Sequence, residues 1–163
     1  MTASKCVSKL SPHFTLSELT VTSTGLPNEP DEYHLANLIQ LCRLVLEPWR
    51  ERTGALRVTS GFRSTEVNRA VGGSARSQHL KGEAVDVSPL IVSPTFAWVD
   101  LDALARGTLP VDQAIIYQRK NRTGWIHVSF TARYRPRRQF LVQPLEEPGK
   151  YVPYETFSGP LEL

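Results

Sequence analysis

In the stretch SQHLKGEAVD, residues 77–86, a histidine and an aspartate stand seven positions apart with Gly82 between them. Each has an ordinary use: an imidazole can be a polar residue of a core, and a carboxylate can cap a helix or form a turn. With a second histidine they acquire another. Two neutral imidazoles and one carboxylate, with a fourth position open, make the shell of a catalytic zinc, and another first-row metal is chemically admissible on the same donors. His127, in WIHVS, can complete such a set with His79 and Asp86. His13 and His34 belong to no such grouping and are read as ordinary polar residues.

For the three to meet, two distant segments must share one surface. WIHVSFT (125–131) alternates, which puts Trp125, His127 and Ser129 on one face of a strand and Ile126, Val128 and Phe130 on the packed face. AVDVSPL (84–90) reads as a neighbouring strand that can set Asp86 opposite His127. Gly82 permits the tight reversal that folds His79 back over both. LRVTSGF (56–62), QAIIYQ (113–118) and RRQFLVQ supply further strands. Leu35, Leu38, Ile39, Cys42, Val45 and Leu46 repeat at helical spacing, with Pro30-Asp31 where a cap belongs and Gly54 as the stop. Shorter helices are predicted in HFTLSELT, capped by Thr15 or Ser17, in STEVNRAVGG, capped by Ser64, and in PTFAWVDLDALARG (94–107). NRTG (121–124) reads as a turn. These elements predict one α+β domain over residues 1–143, its helices packed on a small antiparallel sheet, followed by an irregular Pro/Gly-rich tail over 144–163.

The 163 residues, 40% apolar and 21% charged, have globular composition. A net charge of +3 and a pI near 9.0 favour an acidic partner such as a bacterial wall. Nucleic acid is not expected. Basic residues are scattered apart from Arg133, Arg135, Arg137 and Arg138, which read as a solvated basic edge. Cys6 and Cys42 form no CxxC pair, and one disulfide or two free thiols are both open. The N-terminal MTASKCVSKLSPHF lacks the apolar run of a signal peptide, and no stretch approaches the roughly 18 apolar residues of a membrane span. The expectation is a monomer without a membrane span, cytoplasmic at synthesis, that reaches a wall only when something else releases it.

These motifs resemble those of the zinc D-alanyl-D-alanine carboxypeptidases and their phage endolysin relatives, proteins of a hedgehog/DD-peptidase-like fold. SQHLKGEAVD fits SxHxxGxAxD and WIHVS fits WxHxS. SGFRS (60–64), NRAVGGS (68–74), LSPHFTLSEL and DQAIIY extend the likeness over roughly residues 10–142. The resemblance implies that His79, Asp86 and His127 hold one Zn2+ ion. It implies that Arg63 clamps the carboxylate of a peptide substrate, a grip suited to a planar guanidinium. Ser77 and Gln78 would support the loop or touch the substrate. The implied reaction is hydrolysis of an amide in peptidoglycan stem peptides, as a carboxypeptidase or endopeptidase, in a phage or prophage lysin acting after release or carried on the virion.

One departure stands out. Many relatives place an acidic general base three residues before the last histidine or at the end of the preceding strand; here those places hold Gly124 and Tyr117-Gln118. Asp112 is the first candidate base and Glu83, which alternates away from Asp86 toward solvent, the second. Tyr117 is suited only to donating a hydrogen bond to a developing oxyanion. The departure sustains an alternative, a non-catalytic zinc-containing module that binds wall or peptide, and a more distant one, a structural component of a virion.

Overall fold

The computed structural model describes residues 8–90, 94–119, 124–131 and 133–158. Three short polar side chains start its early helices. Thr15 and Glu18 form a reciprocal capping box at α1 (Leu16–Leu19). The Asp31 carboxylate accepts from the His34 N–H to open α2 (Glu32–Leu41), and the Ser64 hydroxyl accepts from the Val67 N–H to open α4 (Thr65–Ala70). Between α2 and α3 (Glu47–Thr53) the chain runs through one π-helical segment, Cys42–Leu46. Gly54, at φ 84°, ends the run.

The strands are β1 (Leu56–Ser60), β2 (Ala84–Pro89), β3 (Val111–Tyr117), β4 (Trp125–Phe130), β5 (Gln139–Gln143) and β6 (Val152–Pro153). They form one sheet in the order β1-β2-β4-β3-β5-β6. Every pairing is antiparallel except β3 with β5, which is parallel. The molecule is therefore α+β, with one parallel pairing in an otherwise antiparallel sheet. That pairing arises because β5 follows β4 through the 131–138 segment and arrives beside β3 rather than β4.

One face of the sheet carries Val85, Val87, Ala114, Ile116, Ile126, Val128, Phe130, Phe140 and Val142 into the core. Against it pack Leu35, Leu38, Leu41, Cys42, Val45, Leu46 and Trp49 from the α2–α3 run, and Ala97, Trp98, Leu101 and Ala105 from α5 (Pro94–Gly107). The Trp49 indole N–H donates to the Ala97 carbonyl at 2.9 Å and ties α3 to α5. The opposite sheet face carries polar and aromatic side chains together with Ile115 and Leu141.

Part of the segment after Pro144, Val152–Pro153, is laid along the sheet edge. β6 pairs with β5, and Tyr154 packs on the Trp98 ring at 5.0 Å. Cys42 is a buried free thiol, its pKa pushed up to about 12 by burial and by nearby carboxylates. Cys6 and residues 121–123 of the expected turn lie outside the described residues. Among the described residues, no helix is long and apolar enough to cross a membrane.

Candidate metal centre

Register places the site. β2 and β4 pair so that Asp86 lies directly opposite His127, and on the other side of β4 His127 faces Ile115 of β3. Because side chains of directly paired residues share a face, Asp86 and His127 emerge together on the side away from the core. His79 arrives from a 3-10 turn, Gln78–Lys81, in which the Ser77 hydroxyl accepts from the His79 N–H. Gly82 closes the turn at φ 68°, and a Cβ there would lie 2.7 Å from the His34 carbonyl oxygen. Glycine is thus required twice, by dihedral and by space.

The three side chains converge. His79 Nε2 lies 3.2 Å from His127 Nδ1 and 3.4 Å from Asp86 Oδ1, and His127 Nδ1 lies 2.9 Å from the same oxygen. Their side chains are 4%, 12% and 12% exposed for His79, Asp86 and His127. A tetrahedral ion bonded at about 2.0 Å to its ligands sets them about 3.3 Å apart, so this triangle has the size such an ion requires. Two imidazole nitrogens and a carboxylate oxygen are also the donor types that zinc accepts. The His79 ring is oriented to ligate: its Nδ1–H donates to the Gly61 carbonyl at 2.6 Å, which leaves the Nε2 lone pair facing the triangle. Gly61 is itself held by α1, since Phe62 N donates to the Leu19 carbonyl at 2.7 Å and a Cβ on Gly61 would fall 2.2 Å from that oxygen. Burial alone would raise the pKa of the Asp86 carboxyl. When both rings are protonated, the charge of His79 and the hydrogen bonds of the two imidazoles outweigh it and hold the Asp86 carboxyl well below the usual carboxylate range.

Arg63 stands on the other side of Asp86. Its Nη2 donates to Asp86 Oδ2 at 2.8 Å and its Nε to the Ser60 hydroxyl at 2.9 Å. Asp86 therefore gives one oxygen to the donor triangle and the other to a guanidinium.

A cleft of about 1030 Å3 opens over this cluster. Ser77, Gln78, Glu83, Asp112 and Tyr117 all line it with Arg63 and the three converging residues. Asp112, at a bulge in β3, is already engaged: Arg137 donates to it from its backbone N–H at 2.8 Å, from Nε at 3.0 Å and from Nη2 at 2.6 Å. Burial would raise the pKa of this carboxyl too, but the Arg137 bonds prevail and lower it. Arg137 Nη2 also reaches Gln78 Oε1 at 3.2 Å.

Glu83 does not face solvent as the alternation suggests; it is 3% exposed and bound by Arg133 at 2.5 Å. The reason is that Glu83 has the parity of Val85 and Val87, which the sheet turns toward the packed side, and its carbonyl accepts from the Phe130 N–H at 2.9 Å in the same ladder. Arg133, Arg137 and Arg138 are likewise more than a solvated edge. The first two hold Glu83 and Asp112, and Arg138 donates to the Ala105 carbonyl. His13 and His34 stand beside Glu47 and Asp31, at 2.7 and 2.6 Å, in the helical layer.

One part of the cleft extends beyond the motifs in the sequence. Tyr117 stacks on Trp125, ring centroids 4.7 Å apart and planes at 12°, while Arg119 lies 4.7 Å over the Trp125 ring. Tyr151 meets Tyr117 edge-on. Alternation with His127 and Ile115 is enough to put Trp125 and Tyr117 on this face; nothing local marks Tyr151. Compared with known proteins, residues 12–129 match the model of the Peptidase M15 family. No curated protein matches the chain.

Proposed function

The chain belongs to the Peptidase M15 family, and on that premise we propose that it is a zinc-dependent peptidase hydrolysing amide bonds in peptidoglycan stem peptides, as a D-Ala-D-Ala carboxypeptidase or an endopeptidase of a phage or prophage. The observation that carries the reading is the donor triangle of His79 Nε2, His127 Nδ1 and Asp86 Oδ1, with sides of 3.2, 2.9 and 3.4 Å. Zinc on those three atoms would polarise the scissile carbonyl and acidify a water. The other roles fall to the protein's own groups. Arg63, in the cleft beside Asp86, is assigned the substrate carboxylate. Ser77 caps the turn that carries His79, and Gln78 braces it against Phe130 and Arg137. Tyr117 offers a hydroxyl to the oxygen that gains charge in the transition state.

The proton acceptor is the weakest match to the expected pattern. Asp112 lines the cleft, yet its three hydrogen bonds from Arg137 and its lowered proton affinity favour a positioning role over a basic one. This observation supports a second reading, a zinc-containing module that binds stem peptides without cleaving them. One experiment separates the two: mass spectrometry of purified peptidoglycan digested by the zinc-loaded protein, with His127→Ala as the blank. New fragments or released D-Ala, absent from the blank, establish the peptidase and identify the bond. Stoichiometric zinc without products establishes the binding module. Asp112→Asn in the same assay decides the base: a folded variant that keeps turnover removes Asp112 from the chemistry.

A further inference from the structure

The family match ends at Ser129, but the cleft does not. Tyr151, in the Pro/Gly-rich tail, lines the same cleft as His127 and remains 45% exposed. Two strand pairings bring it there. β5 runs parallel to β3 with Gln143 beside Tyr117, and β6 runs back along β5 with Val152 beside Val142. One step further along that register sets Tyr151 next to Gln143, in a row with Tyr117. The two phenol oxygens lie 3.3 Å apart, and the rings meet edge to face at 6.2 Å and 88°. The Tyr117 ring is thereby held on two sides, by the flat Trp125 indole and by the Tyr151 edge. Tyr154, packed on Trp98 shortly afterwards in the chain, anchors the segment that carries Tyr151.

We propose that Tyr151 is a positioning residue of the active site: its hydroxyl donates to the Tyr117 hydroxyl oxygen, so that the Tyr117 proton is directed into the cleft at the substrate carbonyl oxygen. A phenol carries one proton and accepts on the same oxygen. When Tyr151 donates, Tyr117 must direct its own proton elsewhere, and a donor fixed before the reaction costs no reorganisation during it. The tail is then part of the catalytic unit rather than a trailing segment. The inference rests on the peptidase reading for its kinetic consequence and on the cleft alone for its binding consequence.

Tyr151→Phe removes the hydroxyl and keeps the ring, so packing and folding are preserved. With a stem-peptide substrate, kcat is expected to fall roughly tenfold, the worth of one neutral hydrogen bond, with KM unchanged. Tyr117→Phe falls at least as far, and the double variant falls no further than Tyr117→Phe alone. The parallel readout is calorimetric binding of a phosphinate analogue of the scissile dipeptide, whose anionic oxygen stands for the charged carbonyl oxygen. Tyr151→Phe should weaken it by a similar factor. Wild-type behaviour of Tyr151→Phe in both readouts, additive losses in the double variant, or equal changes in kcat and KM accompanied by a lower melting temperature would each overturn the proposal. A wild-type protein that releases no product but loses phosphinate affinity on Tyr151→Phe upholds the Tyr151 assignment and refutes the peptidase reading. A wild-type protein that does neither refutes both.

Discussion

Two walls of one cleft are built on different principles. The wall on β2 and β4 is set by backbone register: Asp86 opposes His127 because the strands pair there, and His79 joins them through a four-residue turn between a serine cap and a glycine. The wall formed by residues 133–158 shares the sheet through β5 and β6, but its contacts with the cleft are completed by side chains that reach across the molecule. Arg133 grips Glu83, Arg137 grips Asp112, and Tyr151 meets Tyr117. The first wall would keep its geometry after many side-chain changes elsewhere, since a ladder of backbone bonds holds it. The second depends on a few pairs, two of which sink a carboxylate below the surface and then satisfy it with a cation. The cluster we assign to the metal is on the wall held by the backbone ladder.

The largest test of this contrast is Asp86→Ala. It removes one donor and leaves Arg63 without its carboxylate. We expect zinc retention after dialysis, and turnover with it, to fall by more than the roughly 10–100-fold that loss of a mere supporting residue costs. Stoichiometric zinc on that variant would break the assignment of the register-built wall. Next comes Gly61→Ala, in the same wall but away from the donors. Its Cβ would meet the Leu19 carbonyl at 2.2 Å, so the loop must shift and carry off the acceptor of the His79 Nδ1–H. The expected cost is about 1–3 kcal/mol in denaturant unfolding, with zinc affinity lowered by roughly 10–100-fold in a chelator competition.

Arg137→Ala probes the other wall and should separate the two properties: stability falls by about 1–3 kcal/mol as buried Asp112 loses both guanidinium donors and keeps only the backbone N–H at 137, while zinc affinity holds. The sign of its pH dependence follows from Asp112. A carboxyl whose pKa is lowered in the folded state stabilises the fold above its unfolded value of about 3.9 and loses that contribution as the pH falls through the folded value. The gap between wild type and Arg137→Ala should therefore be full at neutral pH and close in acid. A gap that widens in acid would mean that Arg137 acts through something other than Asp112. The smallest effect is expected at Cys42, in neither wall. A buried thiol with its pKa pushed up to about 12 should resist maleimide at pH 8 in the native protein and label only on unfolding.

The same contrast explains what can be read from the sequence. Caps at Thr15, Asp31 and Ser64 are legible because a cap is local chemistry, settled within three residues. The approach of His79, Asp86 and His127 is legible because alternation fixes a face and a glycine fixes a reversal. The π segment at Cys42–Leu46 is not, since its apolar spacing is compatible with an unbroken α-helix. Nor is the parallel β3–β5 pairing: the RRQFLVQ pattern states that a strand exists and says nothing of which neighbour it joins. Glu83 is expected in solvent only if the face away from Asp86 is the open one, and Val85 and Val87, of the same parity, are core residues instead. The partners of Arg133, Arg137 and Tyr151 lie 50, 25 and 34 positions away in the chain, beyond the reach of any local pattern.

The strand order carries a warning for anyone cutting the chain at the end of its family match. Ser129 lies inside β4, and β5, the parallel neighbour of β3, comes after it. A fragment stopping there would leave VDQAIIY, buried along most of its length in the whole protein, as an open border with a row of unpaired amides and carbonyls. Apolar borders of that kind recruit one another. Such a fragment could retain all three donors and still be lost to self-association before it met a substrate.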